Sequence, residues 1–143
     1  MDVNLTGTWV VTQEVAVRSM IPRRYGRIIN ISSIAGLHGS LPSGLRAAAD
    51  HATKGGLVSL TRALAWEWGQ YGIVVNAICP EFVPSKMSQG LLKTIGAKVV
   101  EDTPLARLDT ADDLQGITVL LASGAARYIT GQVIAIDGGA SVV

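Results

Sequence analysis

The chain has 143 residues, of which 48% are hydrophobic and only 5% aromatic, and twelve basic against eleven acidic residues give a formal net charge of +1. This length suits one domain with its own core, and the near-neutral charge offers no basis for binding nucleic acid or an anionic membrane. The single cysteine, Cys79, excludes a disulfide framework, and no apolar run reaches the ~18 residues of a membrane span or resembles a cleavable signal, so we expect a cytoplasmic protein.

The first two elements are predicted to be a helix and a strand. Residues 3–21 carry apolar side chains at helical spacing, and Pro22 and Gly26 are expected to end that helix. Residues 27–32 ("RIINIS") are short, β-branched and bounded by turn residues, which predicts a buried strand.

The middle of the chain repeats this alternation. A loop rich in glycine, serine and proline spans residues 35–44, and a long helix is predicted over 45–70, with leucines and a tryptophan on one face. Residues 73–79 ("IVVNAIC") predict a second buried strand, which Pro80 is expected to stop.

The last third begins with a mixed region. Within residues 81–104 the pattern predicts only short helical pieces around 88–93. Thr110 is expected to cap a further helix that ends at Gly124, because two aspartates follow it in the first turn. Residues 132–137 ("QVIAID") predict a third strand.

Apolar strands that alternate with helices indicate an α/β fold, with parallel strands joined by right-handed crossovers. Three strands make a small sheet for this architecture, and strand 27–32 has no predicted partner on one side. An uncovered apolar edge strand invites unwanted pairing. We therefore expect the chain to form part of a larger sheet.

Five stretches, taken together and in this order, resemble the C-terminal half of a short-chain dehydrogenase/reductase, over essentially the whole chain. A longer loop after Ser33 and "FVPSKM" (82–87) are similar to the gluconate and sugar-acid dehydrogenase branch of that family. The five stretches are "NLTG" (4–7), "GRIINISSIAG" (26–36), "KGGLVSLTRALAWEWGQYGIVVNAICP" (54–80), "PLARLDTADDL" (104–114) and "YITGQVIAIDGG" (128–139).

The resemblance implies a Rossmann-type, doubly wound parallel sheet, of which residues 1–143 would form a single partial domain, the C-terminal half. The glycine-rich strand–turn–helix that holds a dinucleotide pyrophosphate has no counterpart in the sequence, so the phosphate-binding N-terminal half is expected to be absent. The family's main subunit contact would fall on helices 3–21 and 45–70, which predicts a homo-oligomer.

The resemblance also assigns the catalytic positions. A proton-relay asparagine matches Asn4, a serine that binds the substrate carbonyl matches Ser33, and a lysine that holds the nicotinamide ribose matches Lys54. Four residues before that lysine the family has a tyrosine, the general acid/base, on the same helix face. Here Asp50 stands in its place.

Asp50 is a poor substitute for a phenol. An aspartate ionises near pH ~3.9, so at neutral pH it has no proton to give a carbonyl, and its side chain is shorter. We expect it to form an ion pair with Lys54 instead. His51, on roughly the same face, is an alternative acid/base, although a histidine on a helix is more often structural or solvated.

Contacts to NAD or NADP are predicted by the same resemblance. Lys54, Pro80, Val83 and Ser85 match nicotinamide-side positions, whereas Glu81 adds bulk and charge where the family has glycine. No metal is expected.

Two functions remain open. The first is an NAD(P)-dependent oxidoreductase that acts on a small alcohol or ketone, with a sugar acid as one candidate, and that is impaired by the missing tyrosine and glycine-rich motif. The second is a non-catalytic remnant or a module that associates through its helices.

Overall fold

The computed structural model describes residues 2–39, 47–86 and 88–142. All three predicted strands are present within one residue of their expected bounds, and they pair in parallel in the order β1-β2-β3, as the alternation of helices and strands predicts. The strands are β1 (Gly26–Ile31), β2 (Ile73–Pro80) and β3 (Val133–Ile136).

The central strand β2 is covered on both faces, and all eight of its residues are buried. Successive side chains of a strand point to opposite faces. Ile73 and Val75 accordingly lie in one apolar cluster, which includes Leu64 of the long helix, and Ile78 lies in another, which includes Leu121. Helices therefore pack on both sides of the sheet, which explains why the strand reads as a continuous apolar run.

The long helix α3 (Ala48–Trp68) lies within the predicted range 45–70, whose first two residues fall outside the described part of the chain. Its buried face packs against β2, and Trp68 at its end stacks on Trp9 with ring centroids 6.2 Å apart. The amide of Asn30 in β1 donates to the hydroxyl of Thr61 at 2.9 Å, which satisfies two buried polar groups between helix and strand.

The N-terminal helical region continues past Pro22, and the prediction that Pro22 ends it is wrong. Helical geometry runs to Arg23, and Arg24 ends it with a left-handed φ of 51°. A π turn precedes the proline, in which the Ile21 N–H donates to the carbonyl of Ala16, five residues back. That shift of the hydrogen-bond ladder accommodates a residue without an N–H. The segments are Asp2–Gly7 (π), α1 (Thr8–Val15), Ala16–Met20 (π) and α2 (Ile21–Arg23).

Two helices follow β2. The first, α4 (Gln89–Asp102), is far longer than the short pieces predicted around 88–93. Its glycines and threonine disfavour a helix, and burial of Val99 stabilises the helical conformation in spite of them. The second, α5 (Ala111–Ala122), begins as predicted at Thr110, whose N–H donates to Asp113 at 2.8 Å. No helix in the described ranges is long and apolar enough to cross a membrane.

Strand β1 forms one edge of the sheet and pairs only with β2 among the described residues. Ile31 is 53% exposed, and a groove of about 790 Å³ lined by Val11 and Ile28 lies between this strand and the N-terminal helical region. The expectation that this strand lacks a partner on one side is confirmed within the described part of the chain.

Candidate functional site

Two predicted site residues, Ser33 and Lys54, lie at the C-terminal edge of β1. The backbone N–H of Ser32 continues the ladder by donating to Ile78 of β2 at 2.9 Å. From α3, the ammonium of Lys54 donates to the carbonyl oxygen of Ser32 at 3.2 Å, and the hydroxyl of Ser32 donates to the carbonyl of Lys54 at 2.8 Å. This pair of hydrogen bonds holds the helix against the strand end, beside Ser33.

Gly36 allows the loop to approach α3 this closely. A Cβ atom at Gly36 would lie 2.7 Å from the carbonyl carbon and oxygen of Lys54, a separation that real Cβ atoms do not show. Only glycine therefore fits without moving the backbone at Lys54. The "SSIAG" sequence thus fixes where Lys54 of α3 lies relative to the C-terminal end of β1.

Ser33 makes the local contact that a serine after a strand commonly makes. Its hydroxyl oxygen accepts a hydrogen bond from the Ala35 N–H at 3.2 Å, at the start of a short 3₁₀ turn. A hydroxyl that accepts in this way keeps its own proton for donation. The position therefore combines a loop contact with a donor that is available to a ligand.

Asn4 lies in the first π turn, and its side chain is exposed. Its carbonyl oxygen accepts from the hydroxyl of Thr8 at 2.9 Å. The neighbouring Leu5 packs on α3 at Gly56, where a Cβ would lie 2.8 Å from a Leu5 methyl carbon. No hydrogen bond in the described chain joins the Asn4 side chain to Ser33 or Lys54.

The expected ion pair between Asp50 and Lys54 does not form, and that prediction is wrong. None of the ion pairs within the described ranges joins the two, although they are one turn apart on α3. Asp50 is exposed in the first turn, where the helix dipole favours a carboxylate, while Lys54 is half-buried and reaches the strand end. The two side chains therefore occupy different environments despite their spacing.

His51 lies one residue further along α3 with its ring half-buried. Its Nδ1 is 2.8 Å from the carbonyl oxygen of Ala47. A carbonyl only accepts, so Nδ1 carries the proton of the neutral ring. Nε2 is then an acceptor, and it is buried with no hydrogen-bond partner among the described residues. In this tautomer His51 can take up a proton but cannot donate one from Nε2.

The loop after β2 carries the other predicted cofactor positions. Pro80 is the last, buried residue of the strand and reaches the same sheet edge as Ser33. Val83 is half-buried, and its carbonyl accepts from Ser88 at 2.9 Å. Ser85 is exposed, and its hydroxyl oxygen lies 3.0 Å from that of Ser88. No hydrogen bond or ion pair joins this loop to Lys54 among the described residues.

A cluster of carboxyl groups beside this loop was missed by sequence reasoning. The pKa of Glu81 is raised to about 7, chiefly by burial and also by the nearby Asp109, Asp137 and Asp102, while a hydrogen bond from Thr103 lowers it. Burial likewise raises the pKa of Asp109. The glutamate in place of glycine at position 81 was the one sequence signal of this feature.

Comparisons with known proteins place the chain in a family. A family model described as enoyl-(acyl carrier protein) reductase matches residues 1–141. The 3-oxoacyl-[acyl-carrier-protein] reductase FabG of Aquifex aeolicus is 39% identical over 139 residues, which are 97% of this chain and 54% of that protein.

Solved structures agree in fold. A provisionally assigned NAD(P)-dependent gluconate 5-dehydrogenase from Beutenbergia cavernae, with bound NADP at low occupancy, is 37% identical, with a TM-score of 0.91 over 99% of this chain and 55% of that one. A gluconate 5-dehydrogenase from Burkholderia cenocepacia, in complex with NADP and tartrate, is 33% identical, with a TM-score of 0.86 over 98% of this chain and 54% of that one.

The chain spans about half the length of the curated relatives it matches. Within that half the agreement is continuous, from the N-terminal helical region to the last strand. The chain therefore belongs to the short-chain dehydrogenase/reductase family of NAD(P)-dependent oxidoreductases, and its parallel sheet is part of that family's Rossmann-type fold.

Proposed function

We propose that the whole protein is an NAD(P)-dependent oxidoreductase that moves a hydride between nicotinamide and a secondary alcohol or ketone, and that residues 1–143 form its substrate-side domain. The observation that carries this proposal is the placement of Lys54 beside Ser33 at the C-terminal edge of β1. Ligands of open α/β sheets bind outside that edge. A sugar acid is the favoured substrate, because two gluconate 5-dehydrogenases are among the similar structures.

The side chains at this edge fit a nicotinamide nucleotide. The Lys54 ammonium has three N–H donors, and one of them donates to the Ser32 carbonyl. The other two are available to ribose hydroxyls. The hydroxyl of Ser33 keeps a proton for a substrate oxygen. The nicotinamide, when bound, supplies or accepts the hydride. Pro80 and Val83 would flank the ring from the loop after β2, with Ser85 further out.

We further propose that turnover is impaired, because no phenol stands one turn before Lys54. Asp50 there is exposed, and a carboxylate accepts hydrogen bonds but donates none. Loss of a positioned acid/base costs about 10²–10⁴ in rate. His51 is a poor replacement, because its Nδ1 lies 2.8 Å from the carbonyl oxygen of Ala47 and its Nε2 is buried away from any hydrogen-bond partner among the described residues.

The decisive experiment restores the phenol. Asp50→Tyr should raise reduction of a keto-sugar acid by NADPH by about 10²-fold or more over the unchanged chain. NADPH fluorescence should show saturable binding below about 1 mM for both proteins. The matched control, Asp50→Phe, has the bulk of tyrosine without the hydroxyl and should show no gain. A 3-oxoacyl thioester serves as the second substrate. Faster reduction of the keto-sugar acid than of the thioester supports the sugar-acid assignment over the activity for which the FabG relative is named.

Two outcomes contradict the proposal. Absence of NADPH binding in both proteins contradicts a nicotinamide site in this chain. Binding without any gain in Asp50→Tyr contradicts the assignment of position 50 as the vacant acid/base position. Asp50→Tyr/Ser33→Ala should lose the gain, which ties the recovered activity to the sheet edge.

A second function, helix-mediated association, is favoured by the apolar surface of the two helical regions. Trp66 on α3 is 89% exposed, and a groove of about 540 Å³ lined by Trp9 and Leu60 lies between α3 and the N-terminal helical region. We propose a homo-oligomer through these helices. Light scattering should show a dimer or larger species that Trp66→Ser weakens, whereas Lys93→Ser, an exposed change on α4 away from these helices, should not.

A further inference from the structure

A cavity of about 250 Å³ lies between the loop after β2, the loop before α5 and the end of β3. Its polar lining comes from separate parts of the chain: Glu81 follows β2, Asp109 precedes α5, and Asp137 follows β3. It is distinct from the Ser33 and Lys54 side chains, neither of which lines it.

The cavity has an excess of carboxyl groups. Among the described residues one cation, Arg107, lines it and binds Asp113 through two hydrogen bonds of 2.8 Å and 2.7 Å, so its charge is already matched. None of the ion pairs in the described part of the chain involves Glu81, Asp109 or Asp137. The cavity therefore contains three carboxyl groups without a cationic partner.

Two of these carboxyl groups have a buried oxygen without a donor. Asp109 is only 7% exposed, and although its Oδ2 accepts from the Glu81 N–H at 3.2 Å, its Oδ1 has no partner in the described part of the chain. Glu81 Oε2 accepts from Thr103 at 3.1 Å, but no described residue donates to its Oε1. Both oxygens of Asp137, in contrast, accept backbone N–H bonds. Buried acceptors left in this state cost free energy unless a ligand satisfies them.

We propose that this cavity binds the ammonium group of a small aliphatic amine, which donates to Asp109 Oδ1 and Glu81 Oε1. An ammonium supplies several N–H donors and the positive charge that both carboxyl groups lack. Leu105 and Ala135 in the lining suit the methylene chain of such a ligand. A metal ion is disfavoured, because no group of three or more His, Cys, Asp or Glu within the described ranges is placed to hold one.

The charges in the cavity predict that binding of the amine depends on pH. The pKa of Glu81 is raised to about 7, chiefly by burial and also by the charges of Asp109, Asp137 and Asp102, while the hydrogen bond from Thr103 lowers it. Glu81 is thus largely protonated at pH 6 and ionised at pH 8, whereas an alkylammonium stays charged at both. Binding should therefore strengthen by about tenfold between pH 6 and pH 8.

The experiment titrates the folded chain, free of nicotinamide, with 1,4-diaminobutane by calorimetry and by backbone amide NMR. Saturable binding tighter than about 1 mM is expected, with shifts centred on the amides of Glu81 and Asp109. Butane-1,4-diol, a neutral ligand of the same length, should not bind, and magnesium chloride at equal ionic strength should not shift the same amides. Absence of saturable binding, or equal binding of the diol, overturns the proposal.

Matched variants test the two carboxyl groups. Glu81→Gln and Asp109→Asn should each weaken binding by at least about tenfold, while Glu101→Gln, an exposed change on α4, should not. Circular dichroism establishes that each variant is folded. If Asp109→Asn fails to fold, the test relies on Glu81→Gln and on the pH series. An amine affinity that is unchanged in Glu81→Gln and unchanged between pH 6 and pH 8 contradicts the site. Because no nicotinamide is present, the result is independent of the proposed oxidoreductase activity.

Discussion

The ammonium of Lys54 is bonded to the carbonyl oxygen of Ser32 at 3.2 Å rather than to the carboxylate of Asp50, one turn earlier on the same helix. The lysine is thereby held at the C-terminal end of β1 without a contact to the Asp50 carboxylate. The lysine that we propose to hold the ribose thus keeps its place beside Asp50, and the loss that we propose for position 50 concerns proton transfer.

Lys54→Met should reduce nicotinamide binding. The substitution keeps the length of the side chain but removes the ammonium that would hold the ribose hydroxyls, and we expect NADPH affinity to fall about tenfold or more. Fluorescence titration measures this directly. Lys93→Met, on an exposed face of α4, is the control and should leave the affinity unchanged. Equal affinities in the two variants would remove Lys54 from the cofactor site.

Gly36→Ala should destabilise the fold and disturb the position of Lys54. The new methyl carbon would lie 2.7 Å from backbone atoms of Lys54, so either the loop or the start of α3 must move, at a cost of about 1–3 kcal/mol. Gly39→Ala is the matched control, since a Cβ there meets nothing within 4 Å. Urea unfolding compares the two, and a loss of stability of the same size in both variants would contradict the proposed close approach.

Much of the fold could be predicted because local and long-range signals agree. Strand β2 is an unbroken apolar run, and α3 shows leucines at helical spacing, so burial on the sheet reinforces both patterns. The length of helix α4 was underestimated because its own residues favour a helix only weakly. Burial of Val99 against the rest of the fold provides the additional stabilisation. The π turn before Pro22 leaves no pattern in apolar spacing, so the helix was expected to end too early.

The site was less predictable for a geometric reason. Spacing on α3 correctly puts Asp50 and Lys54 one turn apart, but which partner a long side chain reaches depends on the strand end that packs beside it. Glu81 and Asp109 are 28 positions apart in the chain and meet only through the return of the chain to the sheet edge. Neither relationship is encoded in a local pattern.

Thr110→Ala should weaken α5 at its start. The hydroxyl of Thr110 donates to Asp113 at 2.8 Å and its N–H donates to the same oxygen, so the change removes half of a capping box and should cost about 1 kcal/mol. Thr118→Ala lies on the same helix, is exposed and bonds only the carbonyl of Leu114, so its effect should stay within about 0.5 kcal/mol. Thermal unfolding of both variants tests the difference, and a smaller loss in Thr110→Ala than in Thr118→Ala would refute the cap.

Glu81 should make the stability of the protein fall as the pH rises through neutrality. Burial raises the pKa of Glu81 from 4.5 to about 7, so the folded protein holds this proton more tightly than the unfolded chain does. The stabilisation that results is complete below pH 4.5 and is lost as the pH rises to about 7. Glu81→Gln is neutral at every pH and removes this dependence.

The variant should therefore gain stability relative to the unchanged protein by about 1–2 kcal/mol between pH 5 and pH 8, after allowance for solvent screening of a half-buried group. Urea unfolding of both proteins at both pH values measures this gain as the change with pH in their difference in unfolding free energy. Contributions from other titrating groups, including Asp109, are common to both proteins and largely cancel. Glu101→Gln, at an exposed position, should show no such change with pH. Parallel stability curves for Glu81→Gln and the unchanged protein would mean that Glu81 ionises freely in the folded state, and the buried carboxyl cluster would then lose its central member.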